Sequence, residues 1–396
     1  MSDEATAMRP WRFVIWFGTI SLLADFVYEG ARSVTGPLLA SLGASAAVVG
    51  AVTGAGEAAA LLLRLGSGPL ADRSGRFWAW AIAGYALTVA SVPTLGVTGV
   101  LWAACALVIA ERVGKAVRSP AKDTLLSHAT AATGRGRGFA VHEAMDQVGA
   151  LLGPLTVAGM LALTGDDYGP ALGVLAVPGV AVLALLVWLR RRVPDPAAYE
   201  RAVTPEGERP NPGARLPRAF WVYACFTAAT MTGFATFGVL SFHVVERGLL
   251  PTAAVPLLYA AAMVVDALAA LATGWVYDRV GPRVLIVLPV LSAAVPALAF
   301  TDSLAPVVLG SLVWGAATGV QESTLRATVA DLVAPGRRAT AYGLFAAVVG
   351  GAAFAGGALT GVLYDISIPV LIAVVAAIQA AAVVLLAVSG GRLRRG

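Results

Sequence analysis

Long apolar runs separated by short polar ones recur along the whole chain. They lie at about 11–40, 46–66, 77–97, 99–117, 139–163, 169–189, 219–243, 253–276, 284–301, 305–325, 340–363 and 368–388. A helix crosses the hydrocarbon core of a bilayer with roughly 20 apolar residues, so each run predicts one membrane helix, twelve in all. The runs lack the short alternating segments of a membrane β-barrel, which excludes that class. The first run is too long for a signal-peptide core and has no Ala-x-Ala end, so it predicts the first membrane helix. The longest polar interval, Arg190 to Arg218, is rich in Pro, Gly, Arg and Glu. It predicts an all-α integral membrane protein with a six-helix bundle over 1–189, a cytoplasmic loop over 190–218 and a second six-helix bundle over 219–396.

Composition narrows the class further. The 396 residues are 58% hydrophobic and 13% charged, with a mean hydropathy of +0.79; soluble domains run near a quarter charged. A cytosolic enzyme and a secreted disulfide scaffold are excluded. Cys105 and Cys225 lie inside apolar runs about 120 residues apart, which argues against a structural disulfide or a metal cage. The formal net charge of +5 could point to nucleic acid, but the cations are distributed by topology. Arg9, Arg73, Arg76, Lys122, Arg135, Arg137, the Arg190–Arg218 cluster, Arg279, Arg283, Arg337, Arg338, Arg392, Arg394 and Arg395 fall on one side. The other side carries Asp166, Asp167, Asp302, Asp365 and a single cation, Arg247. The positive-inside rule then predicts a multi-pass protein of the cell inner membrane with both termini cytoplasmic. The bilayer is a partner, anionic head groups attract it weakly, and nucleic acid is not a partner.

The two halves echo each other. Gly68 to Arg76 (GPLADRSGR) follows the second run of the first half, and Gly274 to Arg283 (GWVYDRVGPR) follows the second run of the second half. Arg118 and Asp123 end the predicted fourth helix, and Arg326 and Asp331 end the tenth at the same separation. Such a duplication places a transporter's substrate path at the interface between its repeats. The run Gly68, Leu70, Ala71, Asp72, Arg73, Gly75, Arg76, with its second copy at Asp278, Arg279 and Gly281, resembles the signature of the major facilitator superfamily. The resemblance covers the whole chain, with Pro282 interrupting the second copy. Gly149, Gly153 and Pro154 resemble the fifth-helix motif of that superfamily's drug/proton antiporter branches, although the glycines that follow it there are only partly matched. Arg112 sits where many members carry a buried arginine, without the usual Gln-Gly continuation.

The resemblance implies two six-helix bundles working by alternating access, usually as a monomer. It also implies that the Asp72, Arg73, Arg76 segment is a cytoplasmic latch, its acid lying against a helix N-terminus of the other half. Gly68 and Gly75 would allow the close approach and the turn. Lys115, Arg118, Glu143 and Asp146, near the expected cytoplasmic ends of helices 4 and 5, are read with Asp278, Arg279, Gly281 and Arg326 as the rest of that gate. Small residues at Gly149 and Gly153 would let helices 5 and 8 pack closely.

Charges inside the runs carry the chemistry. Each costs about 2.5–3.5 kcal/mol on insertion scales, so Asp25, Glu29 and Arg32 put roughly 8–10 kcal/mol into the first helix. Their separations of four and seven put all three on one face, which must look onto water or partners. Asp25 and Glu29 are the candidate proton-titrating carboxylates, with Arg32 or Arg112 as the nearby cation; a static ion-pair network is the structural alternative. Glu57 and Arg64 share a face of the second helix. Asp266 in the eighth helix and Glu322 in the tenth are candidate cavity residues, and Phe26, Tyr28, Phe234 and Phe237 are candidate pocket aromatics.

Enzyme and pump motifs fail on inspection. Val113-Gly114-Lys115-Ala116 lacks the first glycine and the final Ser/Thr of a phosphate loop. His142-Glu143-Ala144-Met145-Asp146 lacks the second histidine of a zinc-protease helix, and Gly134 to Gly138 is read as a flexible connector. No catalytic residue, resident metal or cofactor is expected. The predicted function is secondary transport, foremost proton-coupled efflux of a small organic molecule, with the substrate and protons as partners. The alternatives are proton-coupled uptake of a nutrient or organic anion, metal or lipid export, and a membrane sensor or assembly factor.

Overall fold

The computed structural model describes residues 8–201, 216–333 and 338–390, without the side chains of 135–136, 139–140, 201, 326–327, 330, 338–339 and 388–390. Residues 202–215 of the central loop and the side chain of Arg326, both part of the sequence reading, lie outside the described residues. Among the described residues there is no strand, and each of the twelve apolar runs is helical.

The first six runs become α1 (Pro10–Ser41), α2 (Ala46–Leu62) continued by α3 (Arg64–Ser74), α4 (Phe77–Val97), α5 (Leu101–Thr133), α6 (Arg135–Thr164), and α7 (Tyr168–Gly173) followed by α8 (Ala176–Arg192). A short α9 (Ala197–Arg201) follows. The second six become α10 (Arg218–Thr232) and α11 (Phe237–Glu246), α12 (Val255–Val280), α13 (Val287–Ala299), α14 (Leu304–Leu332), α15 (Arg338–Ile366) and α16 (Ile368–Gly390). Large apolar side chains such as Trp102 and Leu163 are 75% and 83% exposed, as on helices whose outer faces meet lipid instead of water.

Three boundaries differ from the sequence reading. The Gly68–Ser74 part of the signature is helical in α3, where charged loop had been expected, and the helix stops at Gly75, whose φ of 62° suits a residue without a Cβ. The expected connector at Gly134 to Gly138 is a helix start, since α6 begins at Arg135 directly after Gly134. The fourth helix does not end near residue 117; it runs to Thr133. Polar residues continue a helix as readily as apolar ones, so an apolar run marks the membrane-buried part and not the helix end.

The chain forms two compact units. One comprises Met1–Ala31, Leu63–Thr98 and Ala110–Glu208; the other comprises Arg32–Leu62, Gly99–Ile109 and Arg209–Gly396. The first is organised around Phe13, Phe17, Trp78, Tyr85, Leu125 and Leu186. Phe13 and Phe17 stack at 5.5 Å, and Trp78 meets both rings edge-on. The second is organised around Phe220, Tyr223, Phe226, Leu288 and Phe345. There Tyr223 stacks on Phe345 at 5.4 Å and donates its hydroxyl to the carbonyl of Leu325.

Within this second unit, α2 packs along α15 with backbone against backbone. Gly50 and Gly357 face each other so closely that a methyl group on either would strike the other's carbonyl. The carboxylate of Asp365 accepts from the N–H groups of Ala46 and Ala47 at the start of α2, at 3.2 and 2.9 Å. Beside this crossing, the Thr53 and Thr236 hydroxyls bond at 2.9 Å.

Candidate functional site

In the first unit, three helices bring their charges together. α1 contributes Ser21, Asp25 and Tyr28, which share a face at spacings of four and three. α5 contributes Arg112, Lys115, Arg118 and Lys122, spaced three or four apart along one stripe. α6 contributes His142 and Asp146, one turn apart. α6 comes near enough because Gly149 and Gly153 lie against the backbone of α1 at Leu22 and Phe26, where no side chain would fit. The fifth-helix glycines therefore seat the first helix, and Pro154 follows them buried in α6.

The geometry ranks the carboxylates. Arg118 is buried and donates to the Thr88 hydroxyl at 2.9 Å while its guanidinium covers the Tyr85 ring. Asp25 reaches that guanidinium only at 4.0 Å, and its side chain is 25% exposed. Asp146 is held more closely, by Lys122 at 3.6 Å and His142 at 3.3 Å. Glu29 is buried. Arg112 donates to the Tyr28 hydroxyl and lies over the Tyr28 ring at 4.5 Å, with the Lys115 ammonium over the same ring at 4.0 Å. Arg112 also stands 3.4 Å from the carboxylate of Glu111.

Several expected assignments change. Arg118 is a cation that Asp25 meets, at 4.0 Å. Arg32 lies seven residues, about 10 Å, along the helix and pairs with Glu57 of α2 at 3.2 Å in the second unit. The face of α1 is therefore shared between two partners. Arg118 and Asp146 do not sit near the ends of their helices, because α5 continues to Thr133 and α6 starts eleven residues before Asp146. Arg118 is buried in the helix interior, whereas Glu143 is exposed. Tyr28 is covered by cations instead of lining an apolar pocket, and Phe237 is packed against Tyr259 and Trp314. Phe234 stacks on Trp314, and Phe26 is half-buried.

The signature residues stand apart from this network. Asp72, Arg73 and Arg76 are exposed, with Gly68 before them and Gly75 between Arg73 and Arg76. In the second copy, Asp278 and Arg279 are exposed, Arg279 lies over the Trp275 ring, and Gly281 has a φ of 66°. The neighbouring Tyr277 donates its hydroxyl to Asp331 at 2.6 Å. Asp266 is buried where Gly319 of α14 abuts the α12 backbone, and Glu322 is exposed.

The sequence reading missed Ser21, Tyr85, Thr88 and Lys122 as members of the network. Lys122 was legible as the next turn after Arg118; the other three are common helix residues whose role depends on what the fold sets opposite them. The descending chain after α8 is also tied to this unit. Glu200 accepts from or pairs with His128 at 2.6 Å, and the Tyr199 hydroxyl donates to the carbonyl of Met8 at 2.6 Å. Burial pushes the Tyr199 phenol up, so the donor stays protonated at neutral pH.

Among the described residues, no group of three or more His, Cys, Asp or Glu side chains is arranged to hold a metal ion. Comparison with known proteins matches residues 19–265 and 250–394 to the family model of the Major Facilitator Superfamily. An uncharacterized protein of Mycobacterium tuberculosis is 66% identical over 382 residues, covering 96% of this chain and 93% of the relative. An uncharacterized MFS-type transporter of Methanocaldococcus jannaschii is 23% identical and covers 89% of each chain. Among solved structures, the nucleoside transporter NupG superposes with a TM-score of 0.71 at 14% identity, over 96% of this chain and 98% of that one. A POT family transporter in complex with a thioalcohol-conjugated peptide superposes with a TM-score of 0.74 at 12% identity, over 96% of each chain. At such identities the structures speak for the fold alone.

Proposed function

The chain belongs to the major facilitator superfamily, a multi-pass membrane transporter by family and fold, and from that premise we propose that it couples protons to the export of a small organic molecule. The observation that carries the reading is the position of Asp25. A carboxylate in a membrane-spanning helix, a quarter exposed and 4.0 Å from a guanidinium already engaged by Thr88, is reachable by a proton and not locked in an ion pair. Protonating it removes one charge from a network that spans three helices, so the packing of α1 against α5 and α6 depends on the proton. That dependence is what couples a proton to a conformational equilibrium.

Export is supported by the Gly149, Gly153, Pro154 segment, which resembles that of antiporters. The distribution of Lys and Arg supports a cytoplasmic location for both termini and an outer location for the Asp365 cap of α2. Asp72, Arg73 and Arg76 then serve as the cytoplasmic latch, with Asp72→Asn expected to slow cycling while changing substrate affinity no more than a few-fold.

A second reading has its own observation. The row Arg112, Lys115, Arg118 and Lys122 would equally anchor an organic anion, moved inward with protons. Everted vesicles energised acid-inside, scanned with dyes, antibiotics, sugars, organic acids and divalent metals, separate the two. A compound that collapses the gradient in wild-type vesicles and not in Asp25→Asn vesicles supports antiport. Equal collapse with both proteins contradicts the role given to Asp25, and silence from exported compounds alongside acid-driven uptake of an organic acid favours the second reading.

A further inference from the structure

The charge network contains one titratable ring that the coupling scheme leaves without a task. His142 is buried between α1 and α6, 4% exposed. Its Nδ1 stands 3.3 Å from Oδ1 of Asp146, one turn along the same helix. Its Nε2 stands 3.1 Å from Oγ of Ser21, one turn before Asp25 on α1. The Phe17 ring covers it edge-on.

We propose that His142 is a proton relay between Asp146 and the Asp25 face of α1. The proposal rests on the proton-coupled reading above and assigns to that reading a path. A carboxylate only accepts, so the ring nitrogen facing Asp146 carries the hydrogen, and Nε2 accepts from the Ser21 hydroxyl. In the relay step a proton arrives at Ser21 Oγ from the Asp25 side. Ser21 passes its own hydrogen to Nε2, and Nδ1 releases its hydrogen to Asp146. Ser21 and the ring end with as many protons as they began with and one proton has moved to Asp146; the ring, now hydrogenated at Nε2, regains its starting tautomer by taking a proton at Nδ1 and releasing the one at Nε2.

The surroundings fit such a path. The Ser21 side chain sits in a residue only 1% exposed, so bulk water does not compete along the inner leg, while Asp25 and Asp146 at the two ends are 25% and 12% exposed. The other titratable or charged groups of this network are Tyr28 on α1, Tyr85 on α4 and Arg112, Lys115, Arg118 and Lys122 on α5. Lys122 holds the second oxygen of Asp146 at 3.6 Å, which leaves Oδ1 for the ring. Histidine is the side chain whose ordinary titration range lies nearest neutral pH, so it can give and take a proton within physiological conditions.

A simple interhelical strut would use the same two contacts, and one substitution separates the roles. The amide of His142→Gln can keep a hydrogen bond at each end but cannot take a second proton. The decisive readout needs no substrate: ring nitrogen NMR of 15N-histidine-labelled full-length protein in lipid nanodiscs. The chain has three histidines, and His128→Gln and His243→Gln assign the other two.

The expected result is a His142 ring hydrogenated at Nδ1 at alkaline pH and doubly protonated on acidification. Its midpoint should differ between wild type and both Asp146→Asn and Asp25→Asn by about half a pH unit or more. A His142 that stays singly protonated throughout, or a midpoint that neither substitution moves, overturns the relay. In the vesicle assay, His142→Gln should slow gradient collapse by the scanned compound about tenfold or more, and wild-type collapse would also overturn it. If Asp25→Asn transports normally while the His142 midpoint still follows Asp146, the coupling role of Asp25 falls instead.

Discussion

The carboxylate of Asp365 accepts the backbone N–H of Ala47 at 2.9 Å, tying the last turn of α15 to the first turn of α2. A carboxylate at this position satisfies orphan donors and meets the positive end of the helix dipole. The contact closes one end of a crossing whose middle is backbone on backbone at Gly50 and Gly357.

Removing that cap should loosen this end of the crossing. Asp365→Ala is expected to cost about 1 kcal/mol of the closed arrangement, or roughly a fivefold larger open population. A cysteine placed at Ser45 in a background lacking Cys105 and Cys225 should react several-fold faster with a membrane-impermeant maleimide. An unchanged labelling rate would show that the crossing is held without the cap.

The fifth helix offers an internally controlled test. Gly153 lies against the Phe26 backbone, whereas Gly159, later in the same helix, has open space where a side chain would begin. Gly153→Ala must push α6 away from α1, and overpacking of this kind costs about 1–3 kcal/mol. Gly159→Ala should be neutral or slightly stabilising, because alanine is the better helix former. Thermal unfolding in detergent compares the two, and equal melting temperatures would remove the tight α1–α6 contact from the account.

Tyr28 gives a third. Its hydroxyl takes a hydrogen bond from Arg112, and its ring lies under Arg112 and Lys115. Tyr28→Phe keeps the ring and loses the acceptor, for an expected loss of about 1–2 kcal/mol. Tyr28→Leu also removes the cation–π contacts and should cost about 1 kcal/mol more. Melting curves that place Phe and Leu together would mean the ring face contributes little.

The sequence shows the helical runs because they are long and apolar, and each is helical in the structure; it shows the repeated signature because Asp72 and Asp278 stand in similar segments. It does not show where helices end once they leave the apolar region: α5 carries Arg118 and Asp123 as ordinary mid-helix residues and stops only at Thr133. Helical periodicity correctly places Asp25, Glu29 and Arg32 on one face. Periodicity is silent on what stands opposite, so it could not tell that Asp25 meets Arg118 while Arg32 meets Glu57. Ser21, Tyr85 and Thr88 enter the site only through packing, and no single-sequence pattern distinguishes them from other buried polar residues. Gly149 and Gly153 were legible as positions of close approach, but the helix they approach was not.

The most direct test of the central claim uses purified protein in proteoliposomes and a compound identified by the vesicle scan. Two rates are compared for wild type and Asp25→Asn: flux driven by a pH gradient, and exchange of labelled for unlabelled compound at equal pH on both sides. If Asp25 carries the coupled proton, the variant loses gradient-driven flux and its pH dependence while exchange persists. Gradient-driven flux at the wild-type rate in Asp25→Asn would contradict the account.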